Sequence, residues 1–286
     1  MADTTGELDI RAQHWEKVVT GFALQSYVLK DLCSIRKSSA WTESYYVETA
    51  ADLTAGAGMN VSGVPRLANY PYGEVSWTLT SSRLIKHGME GVVSWEDANT
   101  NNVDVIARTL LRIARAVAKS VDASIMTAID AATTNTVTIT AAYEWDSATV
   151  ANRDPIQDIL NAISELQIDN YDPYTNGYLL VSPKDYANLL GNSNVRNAGQ
   201  FWSDGVTKNG RVGKICGLTI VVSNSTTTDK AYVIIAKESM TWQSAAPLTV
   251  KSIEDAGIKT TIRAFEVGVV QVVNPLAICV IDNTQK

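Results

Sequence analysis

The 286-residue sequence predicts an α+β fold that combines a long helix, several strands and a protruding ribbon. Three observations support this prediction. Residues 43–80 alternate at both ends around a long middle dotted with glycine and proline. Residues 103–131 have the periodicity of one long amphipathic helix, and residues 215–281 contain several strand-like segments separated by turn residues. The length alone allows one large domain or two.

The segment 43–80 has the least material for a core of its own. Its two ends alternate as strands do, and they are joined by residues 51–73, which are rich in glycine and proline and hold little that could be buried. An isolated two-stranded ribbon is at best marginally stable in water, and structureless loops beyond roughly 12 to 15 residues are uncommon in compact domains. We therefore expect neighbouring subunits to hold this segment.

Four segments carry helix signals. The first begins near Ala12 and is predicted to end before Ser38. The long helix begins near Val103 and would extend about 40 Å at 1.5 Å per residue. Its expected buried stripe is Ile106, Leu110, Ile113, Val117, Val121 and Ile125. Two shorter helices are predicted after Asp154-Pro155 and Ser182-Pro183, where a capping side chain precedes a proline at the first helical position.

The remaining regular segments read as strands. Residues 177–181 are apolar after the glycine, which is typical of a central strand. Short strands and turns are expected over 131–153. The other predicted strands are 215–222, 231–235, 248–253, 258–273 and 276–281. The helix predicted after Asp154-Pro155 has an expected apolar face made of Ile156, Ile159, Leu160, Ile163 and Leu166.

Composition excludes several classes of protein. Hydrophobic residues make up 45% and charged residues 19%, as in ordinary folded soluble proteins. The net charge of −6 argues against tight, sequence-independent wrapping of nucleic acid, although weak contact through one face remains open. We expect no secretory signal, because no basic region precedes an apolar core, and no membrane partner, because no apolar run approaches about 20 residues. Three widely spaced cysteines fit a reducing compartment.

The motifs needed for catalysis or cofactor binding are incomplete. Residues 205–210 have the glycine spacing of a phosphate-binding loop, but Arg211 and Val212 stand where lysine and serine or threonine are needed. His14 and His87 lack the spacing of a metal site, and we interpret His87 as a solvated turn residue. We therefore expect the protein to have no enzymatic activity and to bind no cofactor or metal. A small hydrolase or nucleotide-binding enzyme is the disfavoured alternative.

Aromatic residues are the remaining candidates for function. On the ribbon they allow two interpretations, which are packing across the two strands and contact with another subunit. We favour subunit contact, because the ribbon has so little core of its own. Arg66 is the one basic residue of the ribbon and could form a two-pronged contact with a carboxylate. The candidate contact residues are Arg66, Tyr70, Tyr72 and Trp77 on the ribbon and Phe201 and Trp202 on a second polar loop, 192–213.

The order of these elements resembles the major capsid proteins of tailed bacteriophages and related viruses, the Hong Kong 97 type. Five stretches carry the resemblance, and the similarity covers nearly the whole chain. They are 92–97 leading into the long helix, which has Asp122 near its end, then 154–166, 178–185, 214–223 and 263–277. The resemblance implies an N-terminal arm and helix over 1–42 and an extended loop over 43–80. It further implies a peripheral domain with a spine helix over 81–140 and 237–268, and an axial domain over 141–236 and 269–286.

The function implied by the resemblance is structural. Such subunits self-assemble into hexamers and pentamers of an icosahedral shell around double-stranded DNA, in a virion capsid put together in the host cytoplasm. The implied partners are further copies of the chain, weakly contacted DNA, and a separate scaffold protein, a portal and cement proteins. A same-fold alternative is an encapsulin-type nanocompartment that encloses a protein cargo, and the content of purified shells distinguishes the two.

Some shells of this type join neighbouring subunits through an isopeptide bond between a lysine of the extended loop and an asparagine. Residues 43–80 of this chain contain no lysine. Arg66 is a poor nucleophile because its guanidinium stays protonated. Lys86 is the nearest amine, at a position where the family does not place the reactive one. We therefore expect a shell held by noncovalent contacts alone.

Overall fold

The computed structural model describes residues 27–49, 54–55, 61–74, 77–96, 103–195 and 213–286. The helices are α1 (Val103–Ala132), α2 (Pro155–Ile168), α3 (Pro173–Asn176) and α4 (Pro183–Gly191). The strands of the first part are β1 (Ser34–Lys37), β2 (Thr42–Glu48), β3 (Thr54–Ala55), β4 (Gly73–Glu74), β5 (Trp77–Arg83), β6 (Ile85–Ser94) and β7 (Asn135–Thr138). Those of the second part are β8 (Gly177–Val181), β9 (Lys214–Ile215), β10 (Leu218–Val222), β11 (Lys230–Ile235), β12 (Met240–Asp255), β13 (Lys259–Val272) and β14 (Ile278–Asp282).

Helix α1 is the longest described element, and it confirms the long helix predicted from the sequence. Its expected stripe is buried from Leu110 to Ile125, while the side chain of Ile106 lies outside the described residues. The helix lies close to β6 at Gly91. A Cβ atom there would stand 2.6 Å from Cδ1 of Ile113, so a larger residue would have to displace this side chain, and glycine allows the short distance between helix and strand without such a shift.

A four-stranded sheet in the order β1-β12-β13-β6 lies against α1. Strands β12 and β13 form a long antiparallel pair whose register shifts between Ser244 and Thr249. Strand β12 is therefore much longer than the predicted segment 248–253. Strand β1 pairs parallel with β12, and β6 pairs antiparallel with β13. This sheet and α1 enclose the larger of the two main hydrophobic cores.

A six-stranded sheet has the order β7-β14-β11-β8-β10-β9, and β8 is an interior strand as predicted. Side chains alternate between its two faces. Leu180 of β8 belongs to the core shared with α1, whereas Leu179 belongs to a second core packed against α2. The sheet thus separates two cores, because successive side chains of a strand point to opposite faces.

The two predicted helix caps are present. The carboxylate of Asp154 accepts a hydrogen bond from the backbone N–H of Gln157, and the hydroxyl of Ser182 accepts one from the N–H of Asp185. The predicted apolar face of α2 was wrong at one position, because Leu160 is exposed and Ala162 is buried instead. Within the described residues, no helix is long and apolar enough to span a membrane.

Two predicted elements differ from the structure. The first predicted helix falls largely on residues outside the described ones, and its end is wrong, since Ser34–Lys37 is a strand that gains backbone hydrogen bonds from β12. The predicted strand 215–222 is a tight hairpin instead. Cys216 and Gly217 both have positive φ, at 49° and 84°, which is the geometry of a two-residue turn between antiparallel strands.

Candidate subunit interface

Strands β2 and β5 form the antiparallel ribbon predicted for the ends of 43–80. Their register runs from Thr42 opposite Arg83 to Glu48 opposite Trp77. Farther out, β3 and β4 make a second short antiparallel pair, with Thr54 opposite Glu74. The ribbon is therefore an ordered two-stranded element rather than a loose loop over these described strands.

The ribbon of β2 and β5 is attached to β13 and to the residue after it, Val273, in its own subunit. Leu84, directly after β5, is buried with Val267 and Val269. The side-chain amide of Gln271 donates to the hydroxyl of Ser82 over 3.0 Å, and the backbone N–H of Glu48 donates to the carbonyl of Val273 over 2.9 Å. These contacts fix the direction in which the ribbon leaves the sheet.

The large side chains of the ribbon are exposed. Tyr70 is 86% exposed, Tyr72 is 68% exposed and Trp77 is 58% exposed, and Arg66 is exposed as well. Phe201 and Trp202 lie outside the described residues. Tyr46 and Trp77 pack edge to face with ring centroids 6.0 Å apart, so packing across the strands does occur for one pair. Both rings nevertheless remain more than half exposed and can still contact another surface.

The chain just before the ribbon is fixed by a buried carboxylate on α1. Asp122 accepts hydrogen bonds from the backbone N–H groups of Val28, Leu29 and Lys30 over 3.1, 3.2 and 3.4 Å. Burial raises the pKa of Asp122 to about 6, although the three backbone donors act in the opposite direction. A single side chain thus supplies the hydrogen-bond acceptors that this turn of backbone would otherwise lack.

A second carboxylate acts beside it. Glu266 of β13 is fully buried, and it accepts hydrogen bonds from the hydroxyl of Tyr27 and from Nζ of Lys30, each over 2.5 Å. Burial, followed by the bond to Glu266, raises the pKa of the Tyr27 hydroxyl above its ordinary value. Lys30 also lies 4.4 Å from the centroid of the Tyr27 ring. Sequence reasoning missed this cluster, although lone acids in apolar stretches at Asp122 and Glu266 were a usable signal.

His87 was misjudged from the sequence. It is a buried residue of β6 rather than a solvated turn residue, and its Nδ1 lies 2.9 Å from the hydroxyl of Ser120 on α1. Burial lowers the pKa of its imidazole, and the nearby carboxylate of Glu266 raises it to a smaller extent. The histidine faces Trp242 inside the subunit, so it belongs to the packing of β6 on α1.

A shallow groove of about 310 Å³ crosses the outer side of β6 and β13. Nζ of Lys86 lies 4.7 Å from the centroid of the Phe265 ring, and Nε of Arg263 lies 2.6 Å from Oε2 of Glu90. The groove therefore combines an aromatic face with charges of both signs. This combination can receive an aromatic side chain whose polar edge needs a partner.

A family model described as phage capsid protein matches residues 78–281. Among solved structures, the capsid of cyanophage P-SCSP1u has a TM-score of 0.68 at 16% identity, covering 90% of this chain and 88% of that chain. The virus-like particle from Pyrococcus furiosus has a TM-score of 0.64 at 14% identity, covering 95% and 99%. The mature capsid of bacteriophage PhiM1 has a TM-score of 0.65 at 14% identity, covering 91% and 88%. No curated protein sequence matches the chain.

These similarities confirm the predicted α+β fold of the Hong Kong 97 type. At such low identity the solved structures establish the fold alone. The family match covers well over half of the chain and reaches from the second strand of the ribbon into β14.

Proposed function

We propose that this chain, which belongs to the phage capsid protein family, assembles into hexamers and pentamers of an icosahedral shell around double-stranded DNA. Its role as a structural major capsid protein, rather than an enzyme, follows from the family. The observation that carries the proposed assembly is the ribbon, which has a fixed base and exposed aromatic side chains.

The contact between copies joins two different surfaces. The ribbon of one subunit lies across a neighbour and directs Tyr70, Tyr72 and Trp77 at it, and the groove beside Phe265 is the receiving surface. When one patch binds a different patch on the next copy, the same contact can repeat from copy to copy. The copies form a closed ring if the rotation between neighbouring subunits divides a full turn evenly. Tyrosine and tryptophan provide large rigid contact areas in such interfaces.

The remaining candidate residues have narrower roles in the proposal. Arg66 pairs with a carboxylate of the neighbour, because its guanidinium can bind both oxygens at once. Phe201 and Trp202, which lie outside the described residues, are assigned to the axis of the hexamer or pentamer. They provide contacts between copies around that axis.

The domain division is part of the proposal, and sheet membership moves two of its boundaries. Strand β7 pairs with β14 in the six-stranded sheet, so the axial domain begins at residue 135 rather than 141. Strand β13 stays in the four-stranded sheet to Val272, so the peripheral domain extends to that residue rather than to 268. The proposal keeps 1–42 as the N-terminal arm and helix and 43–80 as the extended loop.

The chain acts in the virion capsid, after assembly in the host cytoplasm. Beyond further copies of itself, a separate scaffold protein, a portal and cement proteins are the proposed partners, with weak contact to the packaged DNA. The encapsulin-type alternative predicts a protein cargo in place of DNA. Nucleic-acid and protein analysis of purified shells after nuclease treatment distinguishes the two contents.

Removal of the ribbon tip tests the assembly. Residues 53–72 are replaced by a short glycine-containing turn. We expect a folded subunit with little change in thermal unfolding, because the described part of this segment, 61–72, is largely exposed and adds little to the core. We also expect no closed shells in negative-stain images or sedimentation. A subunit that unfolds would place this segment in the core, and intact shells would remove the ribbon from assembly. The full chain assembled in parallel is the control.

A further inference from the structure

Helix α1 carries a row of four cationic side chains on the face opposite its buried stripe. Arg108, Arg112, Arg115 and Lys119 follow one another at intervals of four, three and four residues, so they lie on one side of the helix. All four are exposed. At 1.5 Å per residue the row extends over about 17 Å. We call these four residues the basic stripe.

Among the described side chains, neither Asp122 nor Asp130 of the helix neutralises the basic stripe. The ion pairs among the described side chains involve Lys30, Lys184, Lys259 and Arg263, and none involves the stripe. Asp122 faces inward and accepts from the backbone of residues 28–30. Asp130 accepts from the hydroxyls of Tyr232 and Thr227. Four positive charges are thus presented to solvent by a chain whose net charge is −6.

We propose that the basic stripe binds the phosphate backbone of double-stranded DNA and that this face of α1 lines the inside of the shell. The inference rests on the proposed function. Three of the four residues are arginines, whose planar guanidinium binds phosphate through two parallel hydrogen bonds. Helix α1 contains no aromatic residue. It therefore offers cations for phosphates and no ring on which a base could stack.

The stripe gives weak binding to each subunit and strong retention to a shell. Neutralising four phosphates of duplex DNA releases counterions with a salt slope of about −3 to −4 in log K against log salt. A row of four contacts on a convex helix is readily broken in moderate salt. Many copies facing one enclosed DNA multiply these weak contacts, because each further contact is made at high local concentration.

The first experiment measures binding of a 30-base-pair duplex of arbitrary sequence to the full chain by fluorescence anisotropy, from 50 to 200 mM NaCl. In the stripe variant, Arg108, Arg112 and Arg115 become glutamine together with Lys119→Gln, which keeps good helix formers at these positions. The matched control changes four exposed cations elsewhere, Arg36→Gln, Lys37→Gln, Lys214→Gln and Lys251→Gln. Both variants have the same net charge.

We expect the stripe variant to bind at least tenfold more weakly at 50 mM NaCl and to lose about three to four units of salt slope. The control should change affinity less than threefold. Equal losses in both variants would show that overall charge, not the stripe, holds DNA, and would overturn the proposal. Absence of binding by the unaltered chain at 50 mM NaCl would also overturn it.

Shell formation separates this inference from the proposed function. A stripe variant that forms normal shells but retains less DNA supports both. A stripe variant that loses shells while its DNA binding stays unchanged assigns the stripe to a protein partner and overturns the inference. An unaltered chain that binds DNA through the stripe and forms no shells under any condition retains the stripe as a DNA site and overturns the proposed assembly.

Discussion

Two segments follow each other in this chain and are held in opposite ways. Residues 27–33 are held by buried groups, with Leu29 0% exposed and three backbone N–H groups bound by Asp122. The ribbon of β2 and β5 is attached to its own subunit through Leu84, Ser82 and Glu48, yet it leaves Leu79 60% exposed. The difference shows which segment belongs to the core of its own subunit and which one is available for contact with another subunit.

The contrast also separates two physical strategies. The first segment buries backbone N–H groups, and the carboxylate of Asp122 accepts their hydrogen bonds, because an unpaired buried N–H group costs free energy. The ribbon satisfies its backbone by pairing with itself and keeps its aromatic surface free. Stability and assembly should therefore respond to different mutations.

The largest effect is expected from a matched pair of leucine truncations. Leu29→Ala should lower the free energy of unfolding by about 2–5 kcal/mol, because it leaves a cavity in the main core. Leu79→Ala should change it by less than about 0.5 kcal/mol, because the side chain is already exposed, and should impair assembly instead. Urea denaturation measures the free energy of unfolding, and sedimentation measures assembly. Equal destabilisation by both truncations would remove the contrast.

A smaller effect is expected at the carboxylate that holds the first segment. Asp122→Ala leaves buried N–H groups without an acceptor and should cost about 1–3 kcal/mol of unfolding free energy. The pKa of Asp122, raised to about 6 in the folded protein from an ordinary value of 3.8, makes the folded state the stronger proton binder. Its contribution is present below about pH 4 and is lost as the pH rises through 6.

Asp122→Asn cannot titrate and keeps one oxygen acceptor, so it serves as the matched variant. Its unfolding free energy should fall less between pH 4 and pH 7 than that of the unaltered chain. Denaturation curves recorded across this range give the comparison directly. Parallel pH profiles would show that Asp122 is not the titrating group.

The smallest effect is expected from denaturing conditions on assembled shells. Because 43–80 contains no lysine, we expect a single band near 31.0 kDa after boiling in detergent and reductant. Lys86→Arg should leave this pattern unchanged, since Lys86 packs against Phe265 of its own subunit. A ladder of multimers that Lys86→Arg abolishes would instead make the ribbon neighbourhood a site of covalent joining.

Local signals predicted much of the fold. The periodicity of α1 persists over its whole length, and Asp154 and Ser182 cap their helices through contacts three residues away. The exposed aromatics of the ribbon were also predictable, because residues 51–73 offer nothing against which to bury them. Such features depend on neighbours in sequence, which a single chain displays.

The internal anchor was not predictable because its partners are distant in sequence. Asp122 binds Leu29 across 93 residues, and Glu266 binds Lys30 across 236. His87 was misread because Lys86-His87-Gly88 has the composition of a turn. In the structure Gly88 instead permits β6 to lie close to β13, since a Cβ atom there would stand 3.1 Å from Cβ of Phe265.

The position of β14 in its sheet has a consequence for timing during synthesis. This late strand lies between β7 and β11, so the six-stranded sheet cannot close until residues 278–282 have left the ribosome. A nascent chain already contains β2 and β5 while its six-stranded sheet is still incomplete. We therefore expect the subunit to reach its complete fold only after its last strand has been synthesised.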